Sequence, residues 1–412
     1  MKRKVALLSA LIMLSASLPS PQIYAVSPLL TEISESGTEA TAKAVLKEDV
    51  RKGMIALSPA IKTTIYVDNS DEEYINRLLN DTVEELFCEK ELFNVCDELS
   101  FDGSIAKQGK KYRCEVNLYV KYTSSKDSLA KDKKAFDKAV ADIISGVGKN
   151  WTDLQKAAYI HDRLVENTEY IQSGNRYTST PYAALVRHKA LCTGYARAYT
   201  ILLGEVGIES KMISNDSHMW NMVKIDGHWY HVDTTFDDSF INSEQVERIT
   251  MHKYFLRSAD AMKEYYDVPD STAVSKRFDK MDWDHSSSFA FYGKGIIYVG
   301  ADGVYRYDTD KNQVVRLFKV TDRWEIKQGV NTTYWTGYSP QMVQYDTYIY
   351  YNTDHAVNRY DPKTGKITAV YKNKKSDDML VGLTVRNGIL YGWFADDVNE
   401  EGTKKAVLDL KK

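Results

Sequence analysis

A cysteine, a histidine and an aspartate follow one another along ALCTGYARAYTILLGEVGIESKMISNDSHMWNMVKIDGHWYHVDTTFDD, residues 190–238. A thiol is a nucleophile only as its thiolate. Cys192 stands at the entrance of a run with helical character from Gly194 to Gly207, with Tyr195, Tyr199, Leu202 and Leu203 on one stripe. Unpaired backbone N–H groups and the positive end of the helix dipole favour a thiolate at such a place. The same N–H groups can receive an oxyanion. Taken alone, Cys192 reads equally well as a small buried core residue.

The segment after it supplies a base. Ile208–Ser214, His218–Ile225 and His228–Thr235 read as strands, and Asp226-Gly227 is a strong two-residue hairpin signal that pairs Ile225 with His228. Alternation then puts His218, Trp220, Met222, Trp229, His231 and Asp233 on one face, with Trp220 opposite Asp233 and His218 opposite Thr235. Asp233 becomes the diagonal neighbour of His218, about 7–8 Å away by backbone and within side-chain reach. A base and the carboxylate that orients it are thereby placed together.

The same alternation dismisses a metal pair, because His228 and His231 point to opposite faces, and a zinc site needs three or four convergent ligands. The sequence has no HExxH, CxxC, EF-hand loop or GxSxG. No metal and no cofactor is expected.

Other elements must position these residues. Lys2, Arg3 and Lys4 precede an apolar run to Leu18, a signal peptide of residues 1–25 that is expected to be cut after Ala25. No later span is apolar enough for a membrane anchor, so a secreted or cell-envelope location is expected. Residues 26–55 read as a linker. Residues 56–148 read as an N-terminal α/β subdomain: a strand at Ile61–Val67, a helix opened by a Ser70/Glu73 capping box with Ile75, Leu78, Leu79, Val83 and Leu86 on one face, an alternating strand at Tyr112–Val120, and a helix carrying Phe136, Val140, Ile143 and Ile144. A second capping box, Thr152 and Gln155, opens a helix to about Glu166; His161 within it reads as structural. Residues 149–285 form the expected catalytic core.

In residues 286–412, the stretches 295–308 and 347–361 each run strand, Asp-containing turn, strand and end in Arg-Tyr-Asp. A weaker copy starts at Gly388. This reads as a β-rich, propeller-like repeat region whose closure the sequence leaves open, with Arg306-Tyr307-Asp308 and Arg359-Tyr360-Asp361 as structural triplets. Of the four cysteines, Cys88, Cys96 and Cys114 could hold one bridge outside the cytoplasm, with Cys192 set apart in another segment. With 54 basic and 57 acidic residues, no basic patch marks a nucleic-acid partner.

Cys192-Thr193-Gly194-Tyr195-Ala196, then His218-Met219-Trp220-Asn221-Met222-Val223, then the stretch from Asp226 to Asp237 resemble the transglutaminase-like superfamily, of exported bacterial type. The helix at residues 157–170 is similar to the one that leads into this core. The resemblance implies an α+β fold in which a Cys-bearing helix packs on an antiparallel sheet. It implies Cys192 as nucleophile, His218 as base and acid, and Asp233 as orienter. Trp220, Tyr195 and Asn221 become the substrate-binding candidates. Ala190, Met219 and Phe236 depart from the usual glycine, alanine and tryptophan, which weakens inference about substrate. The reading is a thiol-dependent hydrolase of protein or peptide amides, cell-wall peptides included. Cross-linking and a catalytically silent surface-binding protein are the alternatives.

Overall fold

Described by the computed structural model are residues 3–5, 39–171, 174–238, 250–265, 267–269, 272–273, 275–284, 287–322, 324–328, 331–335, 341–374, 378–396 and 402–412. The signal segment lies outside these except for Arg3–Val5 (β1). The fold is mixed α+β, with several antiparallel sheets in the C-terminal half. Two compact units divide the chain: residues 1–141 with 173–201, and 142–172 with 202–412. Among the described residues no helix is long and apolar enough to cross a membrane.

In the first unit, Glu39–Ile55 is a helix (α1), where a linker was expected. Its apolar residues Ala42, Val45, Leu46, Val50 and Met54 recur every three or four positions and are buried, which a solvated linker could not offer. Strands β2 (Ala60–Val67), β3 (Val95–Gln108) and β4 (Lys111–Tyr122) form an antiparallel sheet in the order β1-β3-β4-β2. The alternation expected in β4 holds, with Cys114, Val116, Leu118 and Val120 buried. Helix α2 (Glu72–Phe87) buries all five expected apolar residues, each worth about 1.5–3 kcal/mol. Its cap is Asp71 rather than Ser70: the Asp71 carboxylate accepts from the Glu73 amide, one residue closer to the helix.

All four cysteines are free thiols, so the bridge allowed among Cys88, Cys96 and Cys114 is not made. Cys192 shares a unit with those three rather than standing apart. Burial pushes the Cys88 and Cys114 thiols up to about 11.

Helix α3 (Leu129–Ile144) leads to α4 (Asp153–Asn167), which opens with the expected reciprocal capping box of Thr152 and Gln155. Gln155 also donates from Nε2 to the carbonyls of Gly293 and Gly295, at 3.0 and 3.1 Å, joining α4 to the first C-terminal sheet.

Two of the three repeats read from the sequence are the inner hairpins of separate sheets, and the copy from Gly388 supplies the middle strand of a third. Strands 290–292, 295–300, 303–308 and 313–319 form one four-stranded meander, and 342–345, 348–352, 356–360 and 367–372 form another. Strands 379–386, 389–395 and 403–409 form a three-stranded sheet. One core holds Ile297 and Val304 with Met342 and Ile349, and another holds Tyr350 and Val357 with Leu380 and Phe394, so each meander packs on the next. The Arg-Tyr-Asp triplets are structural as expected. Arg306 pairs with Asp308 at 3.2 Å and Arg359 lies over the Tyr348 ring, while Tyr307 and Tyr360 are buried. Asp308 and Asp361 accept from the amides of Lys311 and Lys363, closing the next turn.

Candidate active site

The cysteine is carried by the first unit. Helix α5 (Cys192–Glu205) starts at Cys192 itself, which is half-buried. Every residue from Tyr195 to Leu203 is buried, so the helix is enclosed all round rather than along the single stripe read from the sequence. Gly194 is required for close approach: a Cβ there would stand 2.8 Å from the Ala190 methyl and 2.9 Å from the Thr178 carbonyl oxygen. That carbonyl already accepts from the Leu191 amide at 2.9 Å, which fixes the chain just before the cysteine.

The histidine and aspartate are carried by the second unit. Strands β5 (Ser210–Ser214), β6 (Met219–Ile225) and β7 (His228–Val232) form a sheet in that order. Asp226 and Gly227 take φ of 50° and 80°, as a type I′ turn demands, and Ile225 pairs with His228 as expected. The Trp220 indole N–H donates to His231 Nδ1 at 3.0 Å, confirming the shared face, while His228 is exposed on the other. The ladder ends at Asn221 and Val232, so the expected pairing of Trp220 with Asp233 and of His218 with Thr235 is not made. Instead residues 233–237 turn, with the Asp237 amide donating to the Asp233 carbonyl at 3.1 Å.

That turn still delivers Asp233 to His218. His218 Nε2 and Asp233 Oδ2 are 2.6 Å apart, with Asp233 fully buried and the His218 side chain 11% exposed. The other carboxylate oxygen, Oδ1, accepts from the amides of Thr235 and Phe236 at 3.0 and 3.1 Å. The Asn215 side chain accepts from the His218 amide at 2.9 Å, and the Trp220 ring stacks on the imidazole at 5.7 Å. A carboxylate so held fixes the imidazole tautomer and orientation.

Residues 138–234 match the transglutaminase-like superfamily. They are a transglutaminase-like domain. Among solved structures, one described as a TGase is 12% identical, with 54% of this chain and 65% of that one covered and a TM-score of 0.25. A "putative protease" from Parabacteroides distasonis is also 12% identical, with 42% and 39% covered and a TM-score of 0.19. The chain therefore spans less than two thirds of either relative, and neither likeness speaks to substrate. No curated protein matches the chain.

Of the substrate-binding candidates, Trp220, Tyr195 and Asn221 are all at most 1% exposed and present no surface to a ligand. Their bulk packs the domain instead. Side chains with accessible surface lie elsewhere. The Phe236 ring is 4.5 Å from His218, Tyr254 is 5.5 Å from Phe236, and Tyr265 is 5.0 Å from Tyr254 and 45% exposed. Tyr265 and Lys253 also border a charged pocket of about 470 Å³. Tyr254 and Tyr265 lie after the hairpin motifs, beyond any pattern that announced them.

Four further polar side chains gather in the second unit of the chain: His161, read from the sequence as structural, with Asp162, Asp237 and His252. His161 Nε2 is 3.1 Å from Asp237 Oδ2, and its Nδ1 is 3.2 Å from Asp162 Oδ1, which also meets His252 Nε2 at 2.7 Å. Among the described residues, His161, Asp162 and His252 are the convergent set that could be considered for a metal. Zinc bonds of 2.0–2.1 Å in a tetrahedron separate ligand atoms by about 3.3 Å. A 2.7 Å contact on an oxygen shared by both rings is instead a hydrogen-bond arrangement, so the cluster does not fit zinc. Burial alone would depress His161, but its bonds to Asp162 and Asp237 more than offset this and raise it to about 9.

A raised histidine pKa stabilises the fold below its unfolded value, near ~6.5, and that contribution disappears as pH rises through about 9. The melting temperature is therefore expected to fall between about pH 7 and 10, and to fall less in His161→Gln. Thermal unfolding across that range checks it; equal pH dependence in both proteins contradicts it.

Proposed function

We propose that the protein is an exported thiol-dependent hydrolase of amide or peptide bonds, with Cys192 as nucleophile, His218 as base and acid, and Asp233 as the group that orients His218. The observation that carries this reading is the 2.6 Å bond between His218 Nε2 and a fully buried Asp233 carboxylate within a transglutaminase-like domain. The Asp233 carboxylate accepts a hydrogen bond from Nε2–H, which leaves Nδ1 as the basic nitrogen. The Cys192 thiolate adds to the amide carbonyl, the C–N bond breaks as His218 gives its proton to the leaving amine, and a thioester remains. Water, deprotonated by His218, then displaces the thiol and yields the acid.

The substrate class is a protein or peptide, cell-wall peptides included. The ring row from Phe236 to Tyr265 supports an extended chain beside His218. The charged, apolar start of the sequence supports export, and the C-terminal meanders, as propeller-like repeats, serve as a recognition region. Cross-linking uses the same thioester with an amine in place of water.

Alkylation of Cys192, read by peptide mass spectrometry across about pH 5–9, tests the reading. An ordinary thiol titrates near ~8.5. Rapid labelling well below that pH, slowed by about tenfold or more in His218→Ala, is expected. Cys88 and Cys114, pushed up by burial, serve as slow internal references. Labelling of Cys192 that follows an ordinary thiol in both proteins would sink the hydrolase in favour of a silent binding protein. Faster incorporation of a labelled primary amine than hydrolysis would assign cross-linking instead.

A further inference from the structure

We propose that His161, from helix α4, is a positioning residue for Asp233: by holding Asp237 it anchors the turn that fixes the Asp233 carboxylate against His218. This rests on the catalytic roles given above.

The turn has two ends. At one, Asp233 receives the amides of Thr235 and Phe236 on Oδ1 and presents Oδ2 to His218. At the other, the Asp237 amide donates to the Asp233 carbonyl, so any displacement of Asp237 is passed to Asp233 through the backbone. Asp237 is tied by its side chain. Its Oδ2 meets His161 Nε2 at 3.1 Å, and its Oδ1 accepts from the Tyr254 amide at 3.0 Å. Tyr254 closes the loop, because its carbonyl accepts from the Asp233 amide at 3.1 Å.

His161 is itself held. Its Nδ1 meets Asp162 Oδ1, and Asp162 Oδ2 accepts from the Phe289 amide at 2.7 Å. The His252 ring bonds Asp162 and stacks on Phe289 at 3.6 Å. His161, Asp162, Asp237 and His252 are all fully buried. One imidazole thus connects a capped helix to the aspartate turn, in a place where a lost bond is not replaced by water.

The two bonds of His161 can be separated by substitution. Glutamine places an amide N–H near the Nε2 position and keeps the bond to Asp237. Asparagine reaches only the Nδ1 position and keeps the bond to Asp162. The readout is the His218-dependent alkylation rate of Cys192 in the full chain, expressed per folded molecule, together with thermal stability. His161→Asn is expected to slow alkylation by about 10-fold or more, as small misplacements of catalytic groups do. His161→Gln should keep at least about half the rate, even if both variants melt at similarly lowered temperatures.

In an Asp233→Ala background, His161→Asn should cost nothing further, because the carboxylate it positions is gone. Equal rates for the two variants, or the same loss in that background, would show a general support of the fold and overturn the proposal. Asp237→Asn provides a second variant at the other end of the bond and should match His161→Asn. If the wild-type rate is independent of His218, the hydrolase reading falls and this proposal with it; if the rate depends on His218 but not on His161 or Asp237, this proposal alone falls.

Discussion

Asp233→Asn is expected to lower kcat by about 10³–10⁴-fold with little change in KM. The argument turns on which atom of the new amide faces His218. Asp233 Oδ1 accepts two backbone N–H groups, from Thr235 and Phe236, and an NH₂ group cannot sit opposite two donors. The amide oxygen therefore keeps that place. Its NH₂ takes the position of Oδ2, 2.6 Å from His218 Nε2 in the native protein, and donates into the ring. The ring proton must then reside on Nδ1, the nitrogen required as base. Asp233→Ala imposes no tautomer; it only frees the ring. The closer mimic in shape should thus be at least as harmful as alanine. Kinetics of both variants on one peptide, with imidazole nitrogen shifts to read the tautomer, check this. An asparagine variant far more active than alanine would mean that orientation matters and the proton position does not.

How much of this site was legible depends on sequence distance. The hairpin was readable because Asp226-Gly227 sets both turn and register within a few residues, and the structure keeps Ile225 opposite His228. Even so, the ladder stops at Val232, and Asp233 reaches His218 from a turn. Alternation gave the right pair by a route the chain does not take, because two residues flanking a ladder stay close after it ends. The buried cluster of His161, Asp162, Asp237 and His252 had no such local rule, since apart from the adjacent His161 and Asp162 its bonded partners lie far apart in the chain. One signal existed. His161 falls in line with Ala157, Ile160 and Leu164 on the buried face of α4, a polar side chain at an apolar position. Such a residue needs partners, and their identity is a tertiary fact.

The misread parts have similar causes. Helix α1 falls where a linker is expected because its five buried apolar residues are scattered between many charged and small ones. The cap of α2 moved from Ser70 to Asp71 because both are good capping residues and only geometry chooses between them. Trp220 and Asn221 sit within the motif and were offered as ligand contacts, yet motif residues next to a catalytic group often serve by packing. Here both are enclosed.

Arg197→Met is expected to destabilise the first unit by about 3–5 kcal/mol, enough to unfold a marginal domain. Arg197 lies on α5, beyond Cys192, and is fully buried. Among the described residues its guanidinium has no carboxylate in hydrogen-bonding contact, and it donates instead to main-chain carbonyls. Nη1 meets the Val95 oxygen at 2.6 Å and the Ser179 oxygen at 3.4 Å, Nη2 meets Leu92 at 3.1 Å, and Nε meets Phe87 at 3.4 Å. Phe87 ends α2, so one of these carbonyls is a helix-terminal group without an intrahelical partner. The guanidinium also lies 4.3 Å over the Phe87 ring. Burial pushes its pKa down to about 10, partly offset by the nearby Asp97 and by Cys96 and Cys88, so the group stays charged at neutral pH. Methionine fills much of the same space but supplies no donor, leaving several buried carbonyls unpaired at about 1–3 kcal/mol each, less the relief of removing a buried charge. Lysine keeps the charge but cannot fork to several oxygens, so Arg197→Lys should recover only part of the loss. Urea unfolding of the three proteins measures the order Arg, Lys, Met. If methionine proved as stable as arginine, desolvation would balance the bonds, and the carbonyls around Arg197 would have to find other donors. The helix that begins at Cys192 is thus held from its middle by a buried guanidinium bonded to four main-chain carbonyls.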